Sequence, residues 1–139
     1  MARNVLSDLS KVPLFSECSD KDLRMTASSV KEVEHPEGKV VVREGQSGVA
    51  FFLIAEGTAK VTVKGRTRAK LGPGDSFGEI SLLDGGARTA TVTATSPLVL
   101  YGLSRWVFNS ILKDQPDMIA RLLAGMAGAV RRAESGVLD

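Results

Sequence analysis

Between residues 30 and 103, no apolar run lasts more than a few residues before a turn signal cuts it. The cuts fall at Pro36-Glu37-Gly38, Gly45-Gln46-Ser47-Gly48, Glu56-Gly57, Gly65, Gly72-Pro73-Gly74-Asp75 and Ser96-Pro97. Between them lie strand-like segments: Val33 to His35, Val40-Val41-Val42, Phe51 to Ile54, Ala59 to Val63, Lys70-Leu71, Ala90 to Ala94 and Leu98 to Tyr101. In one of them Ala59, Val61 and Val63 alternate with Lys60, Thr62 and Lys64, the period of a half-buried strand. Short strands at such close spacing predict a sandwich or closed barrel rather than a parallel sheet.

Helical patterns flank this region. A short helix is expected over Asn4 to Leu9, closed off by Pro13, with Val12, Leu14 and Phe15 as an irregular apolar anchor. Ser19 can cap a helix that runs to about Ser28, with Asp20 and Asp22 in its first turn and Leu23, Met25 and Ala27 packing it. Ser104 can cap another from Arg105 to about Leu112, carrying Trp106, Val107, Phe108 and Ile111. Pro116 opens the last one. Its apolar positions Met118, Ile119, Leu122, Leu123, Met126 and Val130 follow helical spacing, and Arg131-Arg132 suit its C-terminal end. The expected architecture is mainly β with flanking helices: a barrel with N-terminal helices and two C-terminal helices.

Charge narrows the function classes. The net charge of +2 gives no strong field for nucleic acid or an anionic membrane. Only Lys60, Lys64, Arg66, Arg68 and Lys70 concentrate positive charge, around Gly65 on a predicted hairpin. They read as a solvated edge that resists aggregation or, more sharply, as a docking face for an acidic partner. Cys18 is the lone cysteine, so it has no internal disulfide and no metal spacing. The opening residues lack the apolar core of a signal peptide, and no apolar run nears the ~20 residues that span a bilayer. A cytoplasmic protein without membrane span or metal is expected. His35 and Cys18 read as structural.

Chemistry concentrates between Phe77 and Ala90, where Glu79 and Arg88 stand nine positions apart among small and apolar residues. A buried phosphate needs donors on every side, because an unpaired buried charge is costly. Glycines and the first turn of a short helix, Gly78 to Ser81, can offer backbone N–H groups. Arg88 can add a charge-assisted, bidentate contact. Glu79 would repel a bare phosphate, and fits only if the ligand also donates hydroxyls, as a ribose does. On spacing alone, a buried Glu79–Arg88 salt bridge is an equal alternative. Gly74-Asp75-Ser76-Phe77-Gly78 also matches the nucleophile-elbow pattern, but that chemistry needs a histidine after the serine, and His35 precedes it.

The run Phe77-Gly78-Glu79-Ile80-Ser81-Leu82-Leu83, followed by Arg88-Thr89-Ala90, resembles the phosphate-binding cassette of the cyclic nucleotide-binding domain family. The resemblance extends to Glu44-Gly45, Glu56-Gly57 and Leu71-Gly72-Pro73-Gly74-Asp75, and so covers nearly the whole chain. It implies a jelly roll of the double-stranded β-helix type in one domain over residues 1–139. Within it, 1–29 would be a helical segment, 30–103 the barrel with its cassette at 77–90, and 104–134 hinge and lid helices. The ligand-binding residues would be Gly78, Glu79, Ile80, Ser81, Arg88 and Thr89. Glu79 would hold the ribose 2′-OH and Arg88 the cyclic phosphate, the latter joined by the N–H groups of Gly78 and Ser81. Thr89 would sit beside phosphate and base. Ala87 stands where the family often has proline, which loosens the loop slightly.

The function implied is non-catalytic sensing of cyclic AMP, or less favourably cyclic GMP, with no cofactor beyond that ligand. Binding would repack Leu82 and Leu83 against the terminal helices and move those helices to regulate a protein partner. Arg131 or Arg132 could cover the base, and Ala124 to Ala129 could serve a lid or a homodimer seam, or simply weaken the helix. The family's activators append a DNA-binding domain, for which no room is expected after Asp139. The alternative is an interaction module that keeps the fold without using the pocket.

Overall fold

The computed structural model describes residues 4–138. Eight strands form two antiparallel four-stranded sheets, with five α-helices and one 3-10 turn around them. Strands β1 (Lys31–His35), β8 (Leu98–Ser104), β3 (Ala50–Glu56) and β6 (Ser76–Phe77) lie in that order in one sheet. Strands β2 (Val40–Val42), β7 (Thr91–Ala94), β4 (Ala59–Val63) and β5 (Arg66–Leu71) form the other. This is the expected jelly roll with helices at both ends.

Strand β3 explains how the barrel and the helices share one molecule. Side chains alternate across a strand, and β3 is apolar on both faces. Phe52 and Ile54 belong to the barrel core with Phe77, Val92, Ala94, Leu98 and Leu100. Phe51 and Leu53 point the other way, into a second core with Leu14, Phe15, Leu103, Phe108 and Met118. Phe15 meets both Phe51 and Phe108 edge-on, with ring centroids at 5.8 and 6.4 Å.

The helices follow their caps. Asn4 accepts from the Ser7 N–H at the start of α1 (Val5–Ser10). Ser19 and Asp22 form a reciprocal capping box on α2 (Asp20–Ala27). Ser104 caps α4 (Arg105–Asp114) through the Val107 N–H. The segment Pro13–Phe15, expected to be irregular, is a 3-10 turn. Strand β8 runs three residues past Tyr101, where Gly102, Leu103 and Ser104 pair with Phe52, Phe51 and Ala50 of β3, and the Phe52 ring lies over Gly102. The last helix, α5 (Met118–Leu138), does not stop at Arg131-Arg132. Basic residues favour a helix end but do not break a helix, and no proline follows them.

Helix α5 is held against the N-terminal segment. Asp22, fully buried, receives Arg121 Nε at 2.6 Å and Nη2 at 3.1 Å. That pair holds the Asp22 carboxyl below its ordinary pKa. Burial first, and then the Asp22 charge, push the Cys18 thiol up to about 11, so it is neutral and structural at physiological pH. Only part of the expected apolar stripe of α5 packs inward. Met118 and Leu122 are buried, whereas Ile119, Leu123 and Val130 are exposed.

The small residues of α5 have distinct roles. A Cβ on Gly125 would lie 2.7 Å from the Leu14 carbonyl oxygen and 2.8 Å from that of Pro13, both backbone atoms. At Gly128 the nearest atom would be Arg132 Nη1 at 3.3 Å, on a flexible side chain. Gly125→Ala is expected to lower stability by about 1–3 kcal/mol through overpacking. Gly128→Ala should raise it by up to about 1 kcal/mol through helix propensity. Urea denaturation of the two variants checks the opposite signs.

Candidate functional site

At one end of the barrel, α3 (Glu79–Asp84) and the loop from Gly85 to Ala90 close over the inner faces of β2, β4 and β7. They enclose a cleft of about 240 Å³ lined by Val42, Val61, Val92, Phe77 and the cassette residues. Each of Gly78, Glu79, Ile80, Ser81, Arg88 and Thr89 lines it. Arg131 and Arg132 do not; they are exposed on α5.

The walls are built around Arg88. Its backbone is clamped by the turn after β2: Arg88 N–H donates to the Gln46 carbonyl at 2.7 Å, and Gly45 N–H donates to the Arg88 carbonyl at 2.8 Å. Gly48 N–H donates to the Gly86 carbonyl at 3.0 Å, and Ser47 and Ala87 form a bridge between the two loops. The side chain, 9% exposed, donates from Nη2 to the Ala50 carbonyl at 2.7 Å, at the start of β3. Nη1 is buried and has no hydrogen-bond partner. Burial depresses the guanidinium pKa, yet arginine keeps its charge at neutral pH.

Two glycines make room for this group. Gly78 has φ +93, a left-handed conformation costly for other residues, and a Cβ there would sit 2.5 Å from Arg88 Nη1. A Cβ on Gly48 would lie 2.6 Å from Arg88 Nε and collide with the Ser81 side chain. Gly48 is thus part of the site, although its sequence context reads as an ordinary turn. The Ala50 carbonyl is likewise invisible to a reading of side chains.

Glu79 and Arg88 do not pair. Among the described residues the one ion pair is Asp22–Arg121, and the Glu79 carboxylate has no hydrogen bond. The salt-bridge alternative therefore gives way to a cleft carrying an unpaired carboxylate and a half-satisfied guanidinium. Ser76 lines the cleft, but His35 lies on β1 opposite Leu98, outside it, so no nucleophile–base pair forms there. Among the described residues no metal-ligating cluster occurs.

The cassette also touches the helices. Leu82 is fully buried in the helical core beside Phe108 and Ile111, whereas Leu83 is 38% exposed. Arg105, first in α4, reaches the Leu83 carbonyl at 3.4 Å, and its backbone N–H donates to the Val49 carbonyl at 2.7 Å.

A family model described as "Cyclic nucleotide-binding domain" matches residues 32–115. The chain belongs to the cyclic nucleotide-binding domain family. One relative, the cyclic AMP receptor protein of Thermus thermophilus, is 33% identical over 127 residues, covering 88% of this chain and 59% of that protein. The cAMP-dependent protein kinase regulatory subunit of Yarrowia lipolytica is 34% identical over 101 residues, covering 73% of this chain and 27% of the subunit. Both relatives are longer than the stretch they share with this chain. Among solved structures, the N-terminal domain of a transcriptional regulator from Streptomyces coelicolor A3(2) superposes with a TM-score of 0.82 at 28% identity, covering 92% of this chain and 95% of that one. Among the described residues no helix is long and apolar enough to cross a membrane.

As Gly48 leaves the room that the Arg88 and Ser81 side chains occupy, Gly48→Ala is expected to cost about 1–3 kcal/mol of stability without any ligand present. A chemical denaturation curve of the free protein checks this.

Proposed function

We propose that the chain is a non-catalytic sensor of a cyclic nucleotide, cyclic AMP before cyclic GMP, acting in the cytoplasm on a protein partner. The observation that carries this reading is the buried, unpartnered Nη1 of Arg88, a residue that lines the cleft. A buried donor without an acceptor costs about 1–3 kcal/mol. A cyclic phosphate would supply that acceptor and balance the charge. Glu79, unpaired on the same cleft, would accept the ribose 2′-OH. The N–H groups of Gly78 and Ser81 would join the phosphate, Ile80 would border the mouth, and Thr89 would lie between phosphate and base. The apolar walls Val42, Val61 and Val92 suit a purine. No cofactor or metal enters this reading.

Signal would pass through Leu82 and Arg105. A ligand shifts such an equilibrium only by binding one arrangement better than the other. Drawing α3 inward would move a side chain that already sits in the helical core, and α4 with it. Within a single domain over residues 1–139, α5 would then act as the lid, and Arg131 or Arg132 would reach the base only after α5 moves.

Helix α5 also supports a homodimer. Ile119, Leu123 and Val130 are 46, 67 and 50% exposed. With half-buried Met126 they recur at intervals of four, three and four, the spacing of a coiled-coil seam. A second copy of α5 is the occupant of that seam. Leu123→Glu should convert a dimer to a monomer in sedimentation velocity; an unchanged coefficient at all concentrations removes α5 as the interface.

The binding test uses calorimetry and thermal shift with cyclic AMP, cyclic GMP and AMP. Cyclic nucleotides should raise the melting temperature and AMP should not; no shift with any of them overturns the reading. Arg88→Ala should weaken cyclic AMP binding by about 2–5 kcal/mol. Glu79→Ala should hurt cyclic AMP but barely change binding of its 2′-deoxy analogue.

A further inference from the structure

The cleft's own charges nearly cancel. Glu79 and Arg88 are the ionisable side chains among the residues that line it, and they carry opposite signs. An anion approaching from solvent meets little net attraction from these walls.

The positive charge lies elsewhere. The β4–β5 hairpin carries Lys60, Lys64, Arg66, Arg68 and Lys70, and no acidic residue occurs between Glu56 and Asp75. The chain has 18 basic and 16 acidic residues; without these five cations, 13 basic residues face 16 acidic ones, a net charge of −3. The five side chains are exposed, and none is ion-paired among the described residues. The Glu44 carboxylate touches the hairpin, but it accepts the backbone N–H of Lys64, at 3.1 and 3.2 Å. It pins the tip and leaves the ammonium free.

The hairpin is also a wall of the cleft. Val61 lines it. Val61 and Val63 share a face of β4, and Arg66 is the cross-strand partner of Val63. Strand geometry puts the Arg66 backbone about 8 Å from that of Val61. That is roughly one screening length at physiological salt, and far less than one at low salt.

We propose that the β4–β5 hairpin is an electrostatic collector: Lys64, Arg66 and Arg68 speed the capture of the anionic nucleotide without contacting it once bound. The inference rests on reading the cleft as a cyclic nucleotide site. It gives the basic hairpin a function beyond that of a solvated edge. Charges that do not touch the bound ligand act on the association rate and its salt dependence, while contacts within the cleft set dissociation.

Stopped-flow binding of a fluorescent cyclic AMP analogue to the full chain, at low and physiological salt, tests this. The variant carrying Lys64→Gln, Arg66→Gln and Arg68→Gln should associate about tenfold more slowly at low salt. Its salt dependence should flatten and its dissociation rate should stay unchanged. Arg66→Glu alone should slow association in the same direction. A control with Lys11→Gln, Lys21→Gln and Arg24→Gln makes the same change in net charge on the N-terminal helical segment and should keep the wild-type rate. Unchanged association in the hairpin variants, or equal slowing in the control, overturns the collector and leaves the site standing. Failure of the unaltered protein to bind the analogue at any salt overturns the site reading and the collector with it.

Discussion

A guanidinium held away from water, with one terminal nitrogen bonded and the other not, is the constraint around which this end of the barrel is arranged. Arg88 Nη2 is satisfied by the Ala50 carbonyl, while Nη1 stays buried without an acceptor. A charge in that position is tolerable only if the surrounding backbone forces it there. The force comes from two directions. The turn at Gly45 to Gly48 clamps the Arg88 backbone, and Gly78, in a left-handed conformation, leaves the gap that the guanidinium fills. Each of these features makes little sense alone. Together they define a scaffold that fixes a half-satisfied cation beside the cleft.

What connects this scaffold to the rest of the molecule is apolar. Leu82 belongs to the same short helix as Glu79, yet its side chain is packed among the terminal helices. Arg105 adds a polar tie from α4 to the end of α3. Farther out, α5 is fastened to the N-terminal segment by the Asp22–Arg121 pair and by the close approach at Gly125. The fastening is partly charged and partly steric, so α5 has a defined resting place on the helical side of the fold.

Much of this was legible in the sequence because the signals are local. Closely spaced turn residues forecast the barrel, and Ser19 and Ser104 are the N-caps expected of them, each followed directly by its helix. The candidate residues 78–81, 88 and 89 share one short stretch of sequence, and all of them line one cleft. What escaped depends on distant pairs. Gly48 looks like any turn glycine until it lies against Arg88 and Ser81, forty and thirty-three positions away. Strand β8 extends beyond the Leu98 to Tyr101 of the local pattern, because its last residues pair with Phe51 and Ala50 of β3, about fifty positions away. Helix α5 runs on past Arg131-Arg132, since charges that suit a helix end are not a stop signal. Its apolar stripe was read as one face, whereas the fold buries only some of it.

The double burial of β3 bears on how such a domain can diversify. Phe51 and Leu53 serve one core and Phe52 and Ile54 the other, so the strand has no face on which change is cheap. Drift there would disturb the barrel core and the helical core at once. Variation is left to the margins: the hairpin tip, the cassette mouth at Ile80 and Thr89, and the outer face of α5. A lineage can therefore remodel both ends of the molecule while the strand between its two cores stays nearly fixed.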